Sequence, residues 1–164
     1  MGSYPLEMLL TVRRHREDAA ANNVKRAESS LKAAEQLAET RRSELAQYQA
    51  WRSKETERRY EAIMGSRCTL KELDDFRAGL AALDAREAMK AEAAELAARD
   101  AEMMRGNLEK ARAAARAAQK ERAKIQAHKD IWTEGDKKEA ERKEDLELEE
   151  FRPVFRQGAE GEDE

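Results

Sequence analysis

The side chains best equipped for chemistry in this sequence are His15, His128 and Cys68, set among many carboxylates and guanidinium groups. Two histidines brought together by a fold can share a metal ion or relay a proton. His15 and His128 stand at no metal-ligand spacing. The chain pairing set out by the repeats does not line them up either, so both read as solvated helix residues. Cys68 has no base placed beside it to make a nucleophilic thiolate. It is the only cysteine, so no disulfide forms within the chain, which fits a reducing compartment. The seven glycines are scattered and build no phosphate-cradling loop. The carboxylates mostly stand four residues from a Lys or Arg, the spacing of solvated pairs on a helix surface, whereas catalytic carboxylates work in a dry cleft. The sequence therefore predicts no enzyme, no bound cofactor and no metal site.

Composition gives the reason. The chain has 164 residues, of which 41% are charged and 5% aromatic. A compact domain of that length needs a thick apolar core, and the large side chains to fill one are missing. Ala, Glu, Lys, Arg and Leu dominate, the composition of long helices and coiled coils. Charge is uneven. Residues 133–164 hold 6 Lys and Arg against 13 Asp and Glu, a net −7, while the other 132 residues hold 26 against 22, a net +4. That basic excess is too small for a dedicated nucleic-acid binder. No apolar run approaches the ~18–20 residues of a membrane span, and the N-terminus lacks a signal-peptide pattern. The expectation is a cytosolic protein without membrane insertion.

One element must position everything else. From Leu73 to Leu146 residues recur in alternating steps of three and four: Leu73, Phe76, Leu80, Leu83, Glu87, Lys90, Ala94, Ala97, Ala101, Met104, Leu108, Ala111, Ala115, Ala118, Arg122, Ile125, Lys129, Trp132, Asp136, Glu139, Lys143 and Leu146. This heptad spacing lays one side of a helix along a partner and winds the pair left-handedly. At about 1.5 Å per residue, residues 70–150 make a helix roughly 120 Å long. Pro5 suits a helix start. A weaker stripe of the same rhythm follows it, through Leu6, Leu10, Arg13, Glu17, Ala20, Val24, Ala27, Leu31, Ala34, Ala38, Arg41, Leu45, Tyr48 and Arg52. Trp51, Tyr60 and Ile63 fall off its strict frame.

Between the stripes stands Gly65-Ser66-Arg67-Cys68-Thr69. Gly65 is suited to a left-handed helix end, and Thr69 with Glu72 has capping-box spacing. A connection this short makes the helices antiparallel neighbours. The expected fold is all-α: two long helices, 6–64 and 70–150, joined by a turn at 65–69 in an antiparallel coiled-coil hairpin spanning residues 1–152. Facing residues then have numbers that sum to roughly 134, pairing Val24 with Ala111, Leu31 with Met104 and Leu10 with Ile125. Pairing should end near residue 130. Residues 153–164 read as a disordered acidic tail.

Three segments give the chain a resemblance. They are Tyr4-Pro5-Leu6-Glu7, Leu10, Arg13-Arg14 and Arg16-Glu17-Asp18-Ala19-Ala20 at the start; Phe76, Leu80, Leu83 and Glu87 in the middle; and His128-Lys129, Trp132, Glu141-Arg142-Lys143-Glu144, Leu146-Glu147 and Glu149-Glu150-Phe151 at the end. With these the chain resembles the small stalk proteins of type III secretion, the YscO or SctO family, and more distantly the flagellar protein FliJ. The resemblance implies a coiled-coil hairpin in the centre of the hexameric export ATPase, paired termini inside the ring. It also implies contacts with the cytosolic domain of the export gate and with secretion chaperones, at the cytoplasmic side of the inner membrane.

Two surfaces are nominated on that basis. Leu45, Tyr48, Phe76, Leu80 and Leu83 correspond to a gate-binding patch of the flagellar relative, although the same residues are heptad positions and read equally as seam. Leu9, Arg13, Arg14, Arg16, Lys129 and Trp132 form a basic, apolar-tipped helix end suited to a ring of acidic and polar loops, or an ordinary solvated face. Three functions compete: a monomeric stalk coupling ATPase to gate, a homodimeric coiled-coil scaffold without an ATPase link, and a nucleic-acid-binding arm using Arg clusters at 13–16 and 58–59.

Overall fold

The computed structural model describes residues 3–151; the tail expected to be disordered, 153–164, lies outside the described residues. Two helices account for nearly all of them, α1 at Glu7–Met64 (58 residues) and α2 at Leu70–Glu150 (81 residues). No strand occurs among the described residues. Pro5 precedes α1, and the Tyr4 carbonyl accepts the Glu7 N–H at 3.2 Å, giving a partner to one of the N–H groups that a helix start leaves orphaned.

The connection shows how each helix end is satisfied. Glu72 N–H donates to Thr69 Oγ1 at 3.3 Å while Thr69 N–H donates to the Glu72 carboxylate at 2.7 Å, a reciprocal capping box. These bonds to Thr69, the backbone N–H first, hold the Glu72 carboxyl below its ordinary range. Gly65 does not adopt the left-handed backbone expected of it. The carbonyls it would have served find other donors: Ser66 N–H reaches Ile63 O at 3.4 Å, Ser66 Oγ reaches Ala62 O at 3.4 Å and Cys68 Sγ reaches Ile63 O at 3.7 Å.

Burial follows the heptads. Every stripe position of α2 from Leu73 to Asp136 is buried or half-buried, and Glu139, Lys143 and Leu146 are exposed. On α1 the stripe holds from Leu10 to Arg52 except at Arg41, which is exposed and bonds Glu44 of its own helix at 2.9 Å. Beyond Arg52 it continues through Glu55, Arg59 and Ile63, while Trp51 and Tyr60 each remain 47% exposed.

The chain packs as two units. The terminal unit joins α1 up to Ala19 with α2 from Arg116 onward. Here the helices are antiparallel neighbours: Glu17 pairs with Arg122 at 2.8 Å and Glu7 with Lys129 at 2.7 Å. Leu10 is the one side chain fully out of water among the described residues. Pairing extends past residue 130, because Tyr4 packs its ring against Trp132. From Glu141 to Phe151 every residue is exposed.

The hairpin unit comprises Ala20–Ala115. Its seam buries Tyr48, Leu83, Ala97, Ala101 and Leu108. Buried alanines mean that the helix backbones themselves approach closely, so each residue contributes little apolar area. The two faces beside this seam differ. In an antiparallel pair, residues that directly follow a seam position share one face and those that directly precede one share the other. The following residues carry the cross-helix pairs: Glu35 with Arg105 at 3.1 Å, Glu28 with Arg112 at 3.4 Å, Gln49 with the seam residue Glu87 at 3.0 Å, and Asp84 with the seam residue Arg52. The preceding residues include Leu37, Trp51, Met89, Leu96 and Met103, all exposed, and among the described residues no ion pair crosses between the helices on that face.

Two stability measurements check this arrangement. A Cβ added at Gly106 meets nothing within 4 Å, so Gly106→Ala should stabilise the chain by about 1 kcal/mol in a thermal melt, the helix-interior difference between the two residues. Glu55 is only 13% exposed, and hydrogen bonds from Arg58 and then Arg59 pull its carboxyl from 4.5 down to about 2. A depressed folded value means stabilisation that is complete above the unfolded value and lost as pH falls between the two. The melting temperature should therefore drop from pH 4.5 toward pH 2 more steeply in the wild type than in Glu55→Gln; parallel profiles would detach these pairs from stability.

Candidate partner-binding surfaces

All six residues nominated for the ATPase ring lie in the terminal unit. They are not equivalent. Arg13 sits at a seam position, its Nη2 3.8 Å from Glu121 and its Nε buried without a partner. Lys129 is taken up by Glu7. Arg14 is exposed and donates to Gln126 Oε1 at 3.2 Å. Arg16 is exposed, with no ion pair among the described residues. Leu9 stands at the margin, 36% exposed. Trp132 is half-buried, its ring 5.6 Å from that of Tyr4. Arg14 and Arg16 thus remain free to meet a partner, whereas Arg13 and Lys129 act largely within the unit.

Sequence reasoning missed Tyr4, and did not foresee that exposed His128 bonds to it. Tyr4 is buried, and its hydroxyl shares a hydrogen bond with His128 Nδ1 at 2.7 Å. The hydroxyl donates when Nδ1 carries no proton. His128 thus stays exposed on its helix while one ring nitrogen is bonded to Tyr4, and its ring centroid stands 5.8 Å from that of Tyr4. The signal was available: a pairing sum near 134 puts Tyr4 between His128 and Trp132. Nearby, Lys124 first and Arg13 last among the neighbouring charges hold the Glu121 carboxyl below its ordinary value.

The nominated gate cluster lies in the hairpin unit. Tyr48 and Leu83 are buried, and the Tyr48 hydroxyl donates to the Leu83 carbonyl at 3.0 Å. Leu45, Phe76 and Leu80 are half-buried. Phe76 meets Tyr60 edge-on at 5.1 Å, so the exposed Tyr60 ring widens the cluster on its solvent side. Arg52 reaches both Asp84 and Glu87 beside it. The structure thus joins Tyr48 to Leu83 directly and offers water only the edges of the other three.

Among the described residues no group of three or more His, Cys, Asp and Glu is placed to hold a metal ion, and no helix is long and apolar enough to cross a membrane. Cys68 is exposed at the turn. What the geometry offers is surface: helix faces, exposed guanidinium groups, and aromatic rings lying partly in water.

Known proteins match this arrangement. The family model for the type III secretion protein YscO covers residues 6–153. The crystal structure of type III secretion protein YscO from Vibrio parahaemolyticus superposes with a TM-score of 0.83 at 28% identity, covering 90% of this chain and 92% of that one. A YscO homolog from Chlamydia trachomatis has the same fold, with a TM-score of 0.73 at 23% identity and 92% of each chain covered. No curated protein sequence matches. The heptad hairpin and the family match over most of its length lead to one assignment: the chain belongs to the YscO family of type III secretion proteins.

Proposed function

We propose that this protein is the stalk-like coupling component of a type III secretion apparatus. Its terminal unit enters the hexameric export ATPase and its hairpin unit meets the cytosolic domain of the export gate. Secretion chaperones are further partners, and the site of action is the cytoplasmic side of the inner membrane. The observation that carries this reading is the terminal unit itself, a helix pair with exposed Arg14 and Arg16 in the same unit as the Tyr4–Trp132 ring contact. A ring of acidic and polar loops is the complementary surface. Mechanistically, one asymmetric helix pair cannot contact six subunits alike, so its presence makes the ring's sites unequal and ties hydrolysis to the position of the stalk.

Gate contact is assigned to the cluster of Leu45, Tyr48, Phe76, Leu80 and Leu83. Phe76, Leu80 and Leu45 present half-exposed edges, while buried Tyr48 and Leu83 fix the seam beneath them. Partner contacts concentrate in a few well-packed aromatic residues, which makes Phe76 the first to test.

Two experiments test the two ends. Arg14→Glu with Arg16→Glu should abolish stimulation of the export ATPase while the melting temperature stays within a few degrees, since both side chains are exposed. Unchanged stimulation removes these arginines from the mechanism. Phe76→Ala should weaken binding to the gate's cytosolic domain about tenfold, whereas Tyr48→Ala should chiefly lower the melting temperature. A Phe76→Ala variant that binds the gate normally overturns the assignment of this patch.

A further inference from the structure

The exposed apolar face of the hairpin unit is unexplained by the seam. Leu37 and Trp51 on α1 are 46% and 47% exposed, and Met89, Leu96 and Met103 on α2 are 71%, 53% and 55% exposed. Single exposed apolar residues need no explanation. These five share one face, because each directly precedes a seam position, and on α2 they recur every seven residues. A seven-residue repeat of large apolar side chains beside an existing seam is the pattern that receives another helix.

The concavity at one end of this face is lined by Gln47, Tyr48, Trp51, Arg86, Met89 and Lys90 among others. Its floor is Tyr48, whose ring lies 5.5 Å from Trp51. The rim carries three cations, Arg41, Arg86 and Lys90, against one carboxylate, Glu44, which Arg41 takes up at 2.9 Å. Lys90 Nζ stands 5.7 Å above the Tyr48 ring, and among the described residues neither Lys90 nor Arg86 has a carboxylate partner. On the opposite face the cross-helix guanidinium groups are paired with carboxylates. Unpaired cations beside an aromatic floor call for a ligand that brings acid and apolar groups together. Methionine suits such a surface, since its unbranched thioether adapts to differing side chains.

We propose that this face docks an acidic amphipathic helix of another protein, its leucine-type residues lying along Trp51, Met89, Leu96 and Met103 and its carboxylates meeting Arg86 and Lys90. A second copy of this chain is the weaker occupant, because its matching face would bring the same unpaired cations against one another. This face shares the buried Tyr48 with the cluster assigned to the gate, but not the half-exposed edges of Phe76 and Leu80, and the variants below leave all five gate residues intact, so the two readings are tested separately.

The test uses the full-length protein and two dye-labelled helical peptides of about three heptads, identical in a Leu/Ile stripe and flanked by Glu in one and Lys in the other. Fluorescence anisotropy should show the Glu peptide binding at least about tenfold more tightly than the Lys peptide, with the preference reversed by Arg86→Glu with Lys90→Glu. Met89→Ser with Leu96→Ser should weaken binding about tenfold at a nearly unchanged melting temperature, because both side chains are exposed. Ala88→Glu, on the ion-paired face, should leave binding unaltered. Equal binding of the two peptides, no binding of the Glu peptide at about 100 μM, or doubling of the protein's mass in light scattering that Met89→Ser with Leu96→Ser abolishes would each overturn the proposal.

Discussion

A helix packed against a single partner has one stripe to bury, and every other residue must be comfortable in water. That constraint governs this protein. It explains why the described residues bury only seven side chains, among them two alanines, and why so much of the surface is Glu, Lys and Arg. Where the seam narrows at Ala97 and Ala101, backbones are close and apolar area is small. Where it widens, Tyr48 fills it and fixes its hydroxyl on the Leu83 carbonyl. Exposed ion pairs across the seam contribute little free energy each. Their value is in register: Arg105 with Glu35 and Arg112 with Glu28 are satisfied at one alignment of the helices and broken by a slip.

Function follows from register. A binding protein of this kind presents rows of side chains, and which row meets which partner depends on how the two helices are aligned. The turn at residues 65–69 sets that alignment in the hairpin unit, and the capping box of Thr69 and Glu72 fixes where α2 begins. In the terminal unit the Tyr4, His128 and Trp132 cluster does the same work from the other end of the chain. Both anchors use polar bonds at the margin of an apolar contact, since the seam alone has too little area to choose among neighbouring registers.

Much of this could be read in the residues. The stripe of α2 announces itself because its spacing persists through residues as dissimilar as Glu87, Ala101 and Trp132, and only a helix–helix seam imposes such regularity on mixed chemistry. The weaker stripe of α1 was legible to Arg52 and then misjudged. Beyond Arg52 the strict frame offered no continuation, and Ile63 looked to lie off it; in the structure the stripe runs on through Glu55, Arg59 and Ile63, and Arg58 and Arg59 neutralise Glu55 and make its place there tolerable. Gly65 looked like a left-handed helix end, but side-chain caps took over that task. The aromatic cluster at Tyr4 escaped notice because its members lie 124 residues apart, a contact that only the pairing reveals. The row of Met89, Leu96 and Met103 was hidden by the stronger stripe beside it, although its spacing is the same.

The unequal flanks of the hairpin unit make it respond to ionic strength in two directions at once. Added salt screens the Glu35, Glu28 and Asp84 bridges, while strongly hydrated anions such as sulfate drive uncovered Trp51, Met89 and Leu96 out of water. One flank relaxes as the other grows more adhesive. A dilute, low-salt medium therefore favours this helix pair on its own, and a saline one favours its company.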